Sequence, residues 1–440
     1  MASNIGGEAR QFGGGFGCGE GRDVHRNPIA LRLRGWERRL TATRCDGPCL
    51  PMNPLYADMP TTIFEAMSAR ARATGAINLG QGFPDSGWPQ DVIDVAATAL
   101  TRGSNQYPPM PGTPQLRRAI ADHYRAHQGV DLDWQREVTV TSGATEALAA
   151  ALLALIAPGD EVILFQPLYD AYLPLVRRAG GVPVLVPLLP PHWQFDSAML
   201  EAAFSPRTRV VLLNNPLNPS ASTFDRAALE LLARFVVRHD VVVIADEVWE
   251  HVVFDGVAHT SVLAVPELRQ RSVKIGSAGK IFALTGWKVG WMCAAPDLSR
   301  ALAKSHQFLT FTTPPNLQAG VAHGLGKDAG WFTAMRAGFQ RSRDHLVTGL
   351  SAAGYVLLPS TGTWFVSIDL AASGIALDDV SVANRLLDAG VASIPVSAFY
   401  AHDAVTTTLR LCFAKNDATL DAAVTRLAAA LPLLQSSSRV

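Results

Sequence analysis

Apolar residues recur at helical spacing from Thr61 to Thr74, from Asp91 to Arg102 and from Thr113 to His127; the third stretch opens with a Thr cap followed by Pro in the first turn. Val138-Thr139-Val140-Thr141 then reads as a strand and Ala144 to Ile156 as a helix. Short β-branched runs follow at Glu161 to Phe165, Arg209 to Leu213, Val241 to Ala245 and Val273 to Gly276, with helical stretches such as Asp225 to Arg238 between them. Strands that are apolar throughout, and not alternating, are buried on both faces. The pattern therefore predicts an α/β fold whose mostly parallel central sheet is covered by helices on each side. Towards the C-terminus, helices (Ala334 to Ala353, Leu377 to Ala389, Ala418 to Leu431) mix with strands near Thr363 to Ile368 and Leu409 to Phe413, which reads as a smaller α+β domain. The expected division is a large domain over residues 97–324 and a smaller one built from both chain ends, residues 53–96 and 325–440.

Residues 1–52 read differently. Gly13, Gly14, Gly15, Gly17, Gly19 and Gly21 crowd together, and Arg32, Arg34, Arg38 and Arg39 follow. Such a stretch buries little and is expected to be a disordered extension. Met52 opens a sequence that reads like an ordinary start, so translation is expected to begin near it. The extension has no apolar core of the kind a secretory signal needs.

Composition narrows the classes of function. Lys+Arg and Asp+Glu number 38 each, and no basic block breaks the balance, which argues against a nucleic-acid partner. The longest apolar run, Ala147 to Ala157, stops at Pro158-Gly159-Asp160, short of a membrane span. The five Cys, at 18, 45, 49, 293 and 412, are too sparse for a disulfide framework and fit a reducing cytoplasm. Cys45 and Cys49 have no second Cys/His pair nearby, so no metal is expected.

In sheets of this kind ligands bind at the carboxyl ends of the strands, and four predicted strand ends carry unusual polar residues. Ser142-Gly143-Ala144-Thr145 joins a strand to a helix; small residues there let backbone N–H groups approach a phosphate, though an ordinary capped turn would look the same. Asn214-Asn215-Pro216-Leu217-Asn218-Pro219 fixes its backbone with two prolines, a pattern that also simply initiates turns. Asp246 ends a buried apolar strand, where a carboxylate is costly unless it meets a cation: a protonated pyridine nitrogen or an ordinary Arg partner would serve. Lys280 follows a strand in the apolar stretch Ser277-Ala278-Gly279-Lys280. Desolvation there would lower its pKa and suit covalent amine chemistry, and Lys288 lies eight residues on.

Together these residues resemble the class I/II aminotransferases of the fold type I pyridoxal-phosphate enzymes, in the branch that holds the methionine, glutamine and kynurenine aminotransferases. The resemblance runs from about Asn53 to Leu434. It rests on Ile77-Asn78-Leu79-Gly80-Gln81-Gly82-Phe83-Pro84-Asp85, Asn105-Gln106-Tyr107, Thr141-Ser142-Gly143-Ala144-Thr145-Glu146-Ala147, Thr285-Gly286-Trp287-Lys288-Val289-Gly290 and Leu409-Arg410-Leu411-Cys412-Phe413-Ala414-Lys415.

The resemblance implies pyridoxal 5′-phosphate as cofactor. Lys280 would hold it covalently and move the proton, and Asp246 would pair with the ring nitrogen. Asn218 would hydrogen-bond the ring oxygen and help hold the substrate carboxylate. Tyr169 would stack on the ring. Gly143, Ala144, Thr145, Ser277 and Lys288 would hold the phosphate. Tyr107 would reach the phosphate of a second subunit, which implies a homodimer with shared sites. Arg410 would clamp the substrate carboxylate, Gly82 would leave room beside it, and Phe64, with Phe311 from the other subunit, would line the side-chain pocket. Tyr400 adds to an apolar pocket suited to neutral, sulfur-containing or aromatic amino acids. Trp249 departs from the pattern: relatives have Tyr there, donating to the ring oxygen, so Asn218 alone would hold that oxygen here. The expected activity is transamination from such an L-amino acid to a 2-oxo acid. A carbon–sulfur β-lyase shares the same residues, and a non-catalytic sensor domain is the alternative from another class.

Overall fold

The computed structural model describes residues 52–57, 59–85 and 87–436. The expectations for residues 1–51, Cys18, Cys45 and Cys49 included, lie outside the described residues. The described residues from Leu55 onward form one compact unit.

The strands of the described chain are, in order, β1 (Ile77–Asn78), β2 (Val138–Thr141), β3 (Glu161–Gln166), β4 (Val182–Pro187), β5 (Thr208–Asn214), β6 (Val242–Asp246), β7 (Ser272–Ser277), β8 (Gly290–Ala294), β9 (Val356–Leu357), β10 (Phe365–Asp369), β11 (Val391–Ala392), β12 (Ile394–Pro395) and β13 (Thr408–Cys412). Seven of them make the central sheet, in the order β2-β8-β7-β6-β5-β3-β4. Every neighbouring pair in it is parallel except those involving β8, which runs antiparallel to both β2 and β7. β12, β13, β10 and β9 form a separate antiparallel sheet, and β1 pairs with β11.

The expected burial of the strands on both faces holds residue by residue. Val162 and Leu164 of β3, Leu212 of β5, Ile244 of β6 and Ile275 of β7 enter one apolar cluster, where helix Gly143–Leu155 packs through Ala147, Leu148 and Ala151. Their chain neighbours Ile163, Phe165, Leu213, Val243 and Ala245 enter a second cluster on the opposite face, with Leu229 and Leu232 of helix Arg226–Arg238. Side chains alternate along a strand, so neither face can be polar. The helices start where the caps are: Thr113 accepts from the Leu116 N–H at 3.3 Å with Pro114 in the first turn, and Asp225 accepts from the Ala228 N–H at 2.8 Å.

Two strands of the central sheet escaped the sequence pattern, as did the two-residue strands β9, β11 and β12. β4 carries Pro183 and Pro187, which disguise it, and both are tolerated because β4 is the edge strand. β8 lies immediately after the Thr285–Lys288 motif. A short connection from β7 cannot make the crossover a parallel neighbour needs, so β8 enters antiparallel.

A second buried element of β7 is electrostatic. Lys274 is fully buried and donates to Glu247 at 2.5 Å and Glu250 at 2.6 Å, while His259 lies 3.1 Å from Glu247. Burial acts against the charge of both Lys274 and Glu247. Their mutual attraction outweighs it, holding the Glu247 carboxyl down at about 2 and the ammonium above its usual range. Glu247, Glu250 and His259 converge closely enough to hold a metal ion, but the Lys274 ammonium occupies that position. Lys274→Met would leave two carboxylates buried without a counter-charge. It should cost about 3–5 kcal/mol of stability, measurable as a lowered urea midpoint against wild type.

Candidate active site

Asn214, Asp246 and Ser277 end three neighbouring strands. In register, Asn214 stands opposite Asp246 and Asp246 opposite Ile275. Counting by twos, all three residues continue the face of Leu212, Ile244 and Ile275, so they leave the sheet beside the start of helix Gly143–Leu155. A cavity of about 430 Å³ opens at this edge. Of the residues singled out from the sequence, Gly82, Phe64, Gly143, Ala144, Thr145, Tyr169, Asn218, Asp246, Trp249, Ser277, Lys280, Lys288 and Arg410 all line it.

Tyr107, Phe311 and Tyr400 do not line the cavity of their own chain. Tyr107 is 83% exposed and meets Phe311 edge-on, with ring centroids 5.6 Å apart. Tyr400 instead donates its hydroxyl to the Leu188 carbonyl at 2.8 Å, which fixes it as a support and corrects its assignment to the pocket.

The helix start at Gly143 is tightly built. Gly143 has φ +80°, and a Cβ there would come within 3.1 Å of Lys288 Cε. Helix backbone and Lys288 side chain therefore converge on one end of the cavity, the arrangement that binds anions. At the other end Gly82 leaves no space to spare: a Cβ would sit 2.5 Å from Phe365 Cζ.

Asp246 and Lys280 face the same cavity and each biases the other's charge. Burial pushes the Asp246 carboxyl up; the Tyr172 hydroxyl, donating at 2.7 Å, opposes this most, followed by the Val248 N–H and the Lys280 charge. Burial pulls the Lys280 amine down to about 8. Its Nζ lies 4.8 Å from the Trp249 ring centroid and 5.3 Å from that of Trp364, and these two indoles pack edge-to-face.

Arg410 is buried on β13. It donates to Asn218 Oδ1 at 2.8 Å and to the Gly80 carbonyl at 2.7 Å, while its Nε has no partner. Phe365, Phe399 and Phe64 surround the guanidinium at 3.9, 5.0 and 5.2 Å. Burial pulls its pKa below the usual arginine range. Asn218 is aimed by its neighbour: Asn214 Oδ1 accepts the Asn218 N–H at 2.8 Å, and Asn214 Nδ2 donates to the Asp246 carbonyl at 2.9 Å.

The sequence reading missed Asn214, Asp170, Tyr172, Phe399 and Trp364. Tyr172 sits three residues after Tyr169 in Tyr-Asp-Ala-Tyr, a spacing that could have marked it. Trp364 carried no local signal, since it opens a strand that reads as plain core. Acylation of Lys280 by an amine-selective reagent, followed by peptide mass spectrometry on coenzyme-free protein, should be half-maximal near pH 8. Asp246→Asn removes a charge that raises this pKa and should move the midpoint lower still.

The chain matches the family Aminotransferase class I and II over residues 74–427. Methionine aminotransferase of Escherichia coli (strain K12) is 42% identical over 383 residues, covering 87% of this chain and 99% of that protein. Kynurenine–oxoglutarate transaminase 1 of Rattus norvegicus is 33% identical over 425 residues, covering 89% and 98%. The solved structure of N-succinyldiaminopimelate aminotransferase from Mycobacterium tuberculosis superposes with a TM-score of 0.83 at 40% identity, covering 86% of this chain and 100% of that one. Similarity of this extent, on a chain whose strand ends build one cavity, shows that the protein belongs to the class I and II aminotransferases, has their fold type I architecture and is an aminotransferase.

Proposed function

We propose that the cavity binds pyridoxal 5′-phosphate and that the enzyme passes the amino group of a neutral L-amino acid, sulfur-containing or aromatic, to a 2-oxo acid. The observation that carries this reading is a buried amine and a buried carboxylate, Lys280 and Asp246, on one cavity with an anion-binding helix start at one end and Arg410 at the other. The residues fit the coenzyme: Gly143, Ala144, Thr145, Ser277 and Lys288 suit its phosphate, Tyr169 its ring face, and Asp246 its ring nitrogen. When bound, the coenzyme supplies an aldehyde for amines and a protonated ring that draws electrons from the substrate Cα.

The chain's own side chains do the rest. Lys280, with an amine pulled to about 8, is neutral often enough near neutral pH to take and return the Cα proton through its Nζ. The Tyr172 and Val248 hydrogen bonds favour the charged form of Asp246 against its burial, and Asn218 Nδ2 is left to donate because its Oδ1 already accepts from Arg410. Arg410 lines the cavity with no carboxylate bonded to it among the described residues, so its guanidinium suits a substrate carboxylate. Phe64 and Trp249 supply apolar wall, and Asp170, a second carboxylate on the cavity, disfavours a side chain bearing a negative charge. The substrate class also agrees with the methionine and kynurenine activities named for the relatives.

The same reading takes in a homodimer with shared sites. Tyr107 and Phe311 form an exposed aromatic pair at the surface, suited to reach a second copy's cavity. A cytoplasmic location fits the buried free thiols of Cys293 and Cys412 and the absence, among the described residues, of any helix long and apolar enough to cross a membrane.

Lys280→Ala should lower turnover by at least about 10²–10⁴-fold while the coenzyme still binds, its absorbance that of the free aldehyde. A panel of amino acids against several 2-oxo acids should give amino transfer that requires an acceptor, fastest with methionine or aromatic donors. Pyruvate and ammonia released from cystathionine without an acceptor would replace this reading with a β-lyase.

A further inference from the structure

Asp246 is the one carboxylate of the cavity that must stay ionised while enclosed by protein. The groups that bear on it are few. Lys280 and Glu247 act on it through charge, one favouring and one opposing ionisation; Tyr172 and the Val248 N–H act through hydrogen bonds, and Tyr169 stands beside it as a neutral phenol. The Val248 contact is long, at 3.4 Å, whereas the Tyr172 hydroxyl donates to Oδ2 at 2.7 Å. Lys280 is also the amine that reacts, so its charge is not a permanent counter-charge. Among the described residues Tyr172 alone supplies a short, lasting donor from outside the reacting set.

The phenol is built to donate. Tyr172 is 3% exposed, begins the helix Tyr172–Arg178, and meets the Tyr169 ring edge-on at 5.6 Å. Burial and the adjacent Asp246 charge push its own ionisation far above the usual phenol range, so its proton stays on the oxygen. A single O–H, held by packing on both sides, fixes one carboxylate oxygen and leaves the other for a partner in the cavity.

We propose that Tyr172 is a positioning residue: its hydroxyl holds Oδ2 of Asp246 so that the carboxylate remains ionised and keeps Oδ1 for the coenzyme's ring nitrogen. This rests on the pyridoxal 5′-phosphate reading above. Tyr172 does not touch the reacting atoms; it acts through Asp246, and what it governs is how firmly the ring nitrogen keeps its proton.

The test uses the holoenzyme reconstituted with coenzyme labelled with ¹⁵N in the ring, and follows the ring-nitrogen chemical shift against pH. In wild type the nitrogen should stay protonated through the working range. In Tyr172→Phe, which keeps the ring packing, the carboxylate becomes the more basic partner and the shared proton should pass to it, moving the ring-nitrogen shift at neutral pH towards that of an unprotonated pyridine. kcat should drop about tenfold or more with KM little changed. Tyr172→His, which keeps a ring N–H donor, should recover at least part of both losses. A ring-nitrogen titration in Tyr172→Phe that superimposes on wild type overturns the proposal, as does an equal loss in the Phe and His variants, which marks a packing role. If wild type itself takes up no coenzyme, it is the cofactor reading that fails.

Discussion

Everything in this molecule is arranged around keeping charge where burial would remove it. A carboxylate enclosed by protein tends to take up a proton, and an amine so enclosed tends to lose one. Asp246 and Lys280 are both enclosed at the carboxyl edge of the central sheet, Asp246 ending β6 and Lys280 in the short helix Ala278–Ile281 that follows the neighbouring β7. Each lessens the other's penalty. The sheet brings them together because two-residue alternation on parallel strands in register delivers Asn214, Asp246 and Ser277 to one face.

The two buried clusters of charge make an instructive contrast. Around Lys274, the ammonium pairs with Glu247 and Glu250 at 2.5 and 2.6 Å and His259 lies 3.1 Å from Glu247, so these charges close on one another. Around the cavity the set is open. Among the described residues Lys280 forms no ion pair and faces two indole rings, and Arg410 keeps an unpartnered Nε. A closed set holds strands together; an open one leaves donors that a ligand can complete. That difference separates the charges around Lys274 from those of the cavity, which also draws on Arg410 of β13.

Trp249 shifts the character of the site. Where the family resemblance leads one to expect a phenol, an indole pair of Trp249 and Trp364 flanks the Lys280 amine. The amine gains a polarizable wall in place of a hydroxyl, so on the proposed reading the contact to the coenzyme's ring oxygen is left to Asn218. Asn214 makes that arrangement workable by clamping the Asn218 backbone with one end of its side chain and the β6 terminus with the other.

The chain by itself determined the layered α/β sheet, because uninterrupted apolar strands separated by amphipathic helices have few other ways to bury themselves. It also marked the residues at the strand ends: a Lys, an Asp and an Asn in apolar or Pro-bound settings have no local reason to be there. It could not show the direction of β8, which depends on the length of a connection, or the edge strand β4, hidden by its prolines. Nor could it separate Tyr400, which props the Leu188 carbonyl, from a true wall residue, since an aromatic in a loop looks the same in either role. Tyr172, Trp364, Phe399 and Asn214 became visible only in three dimensions. Their work consists of contacts to groups distant in the chain, and only the packed structure decides which distant groups meet.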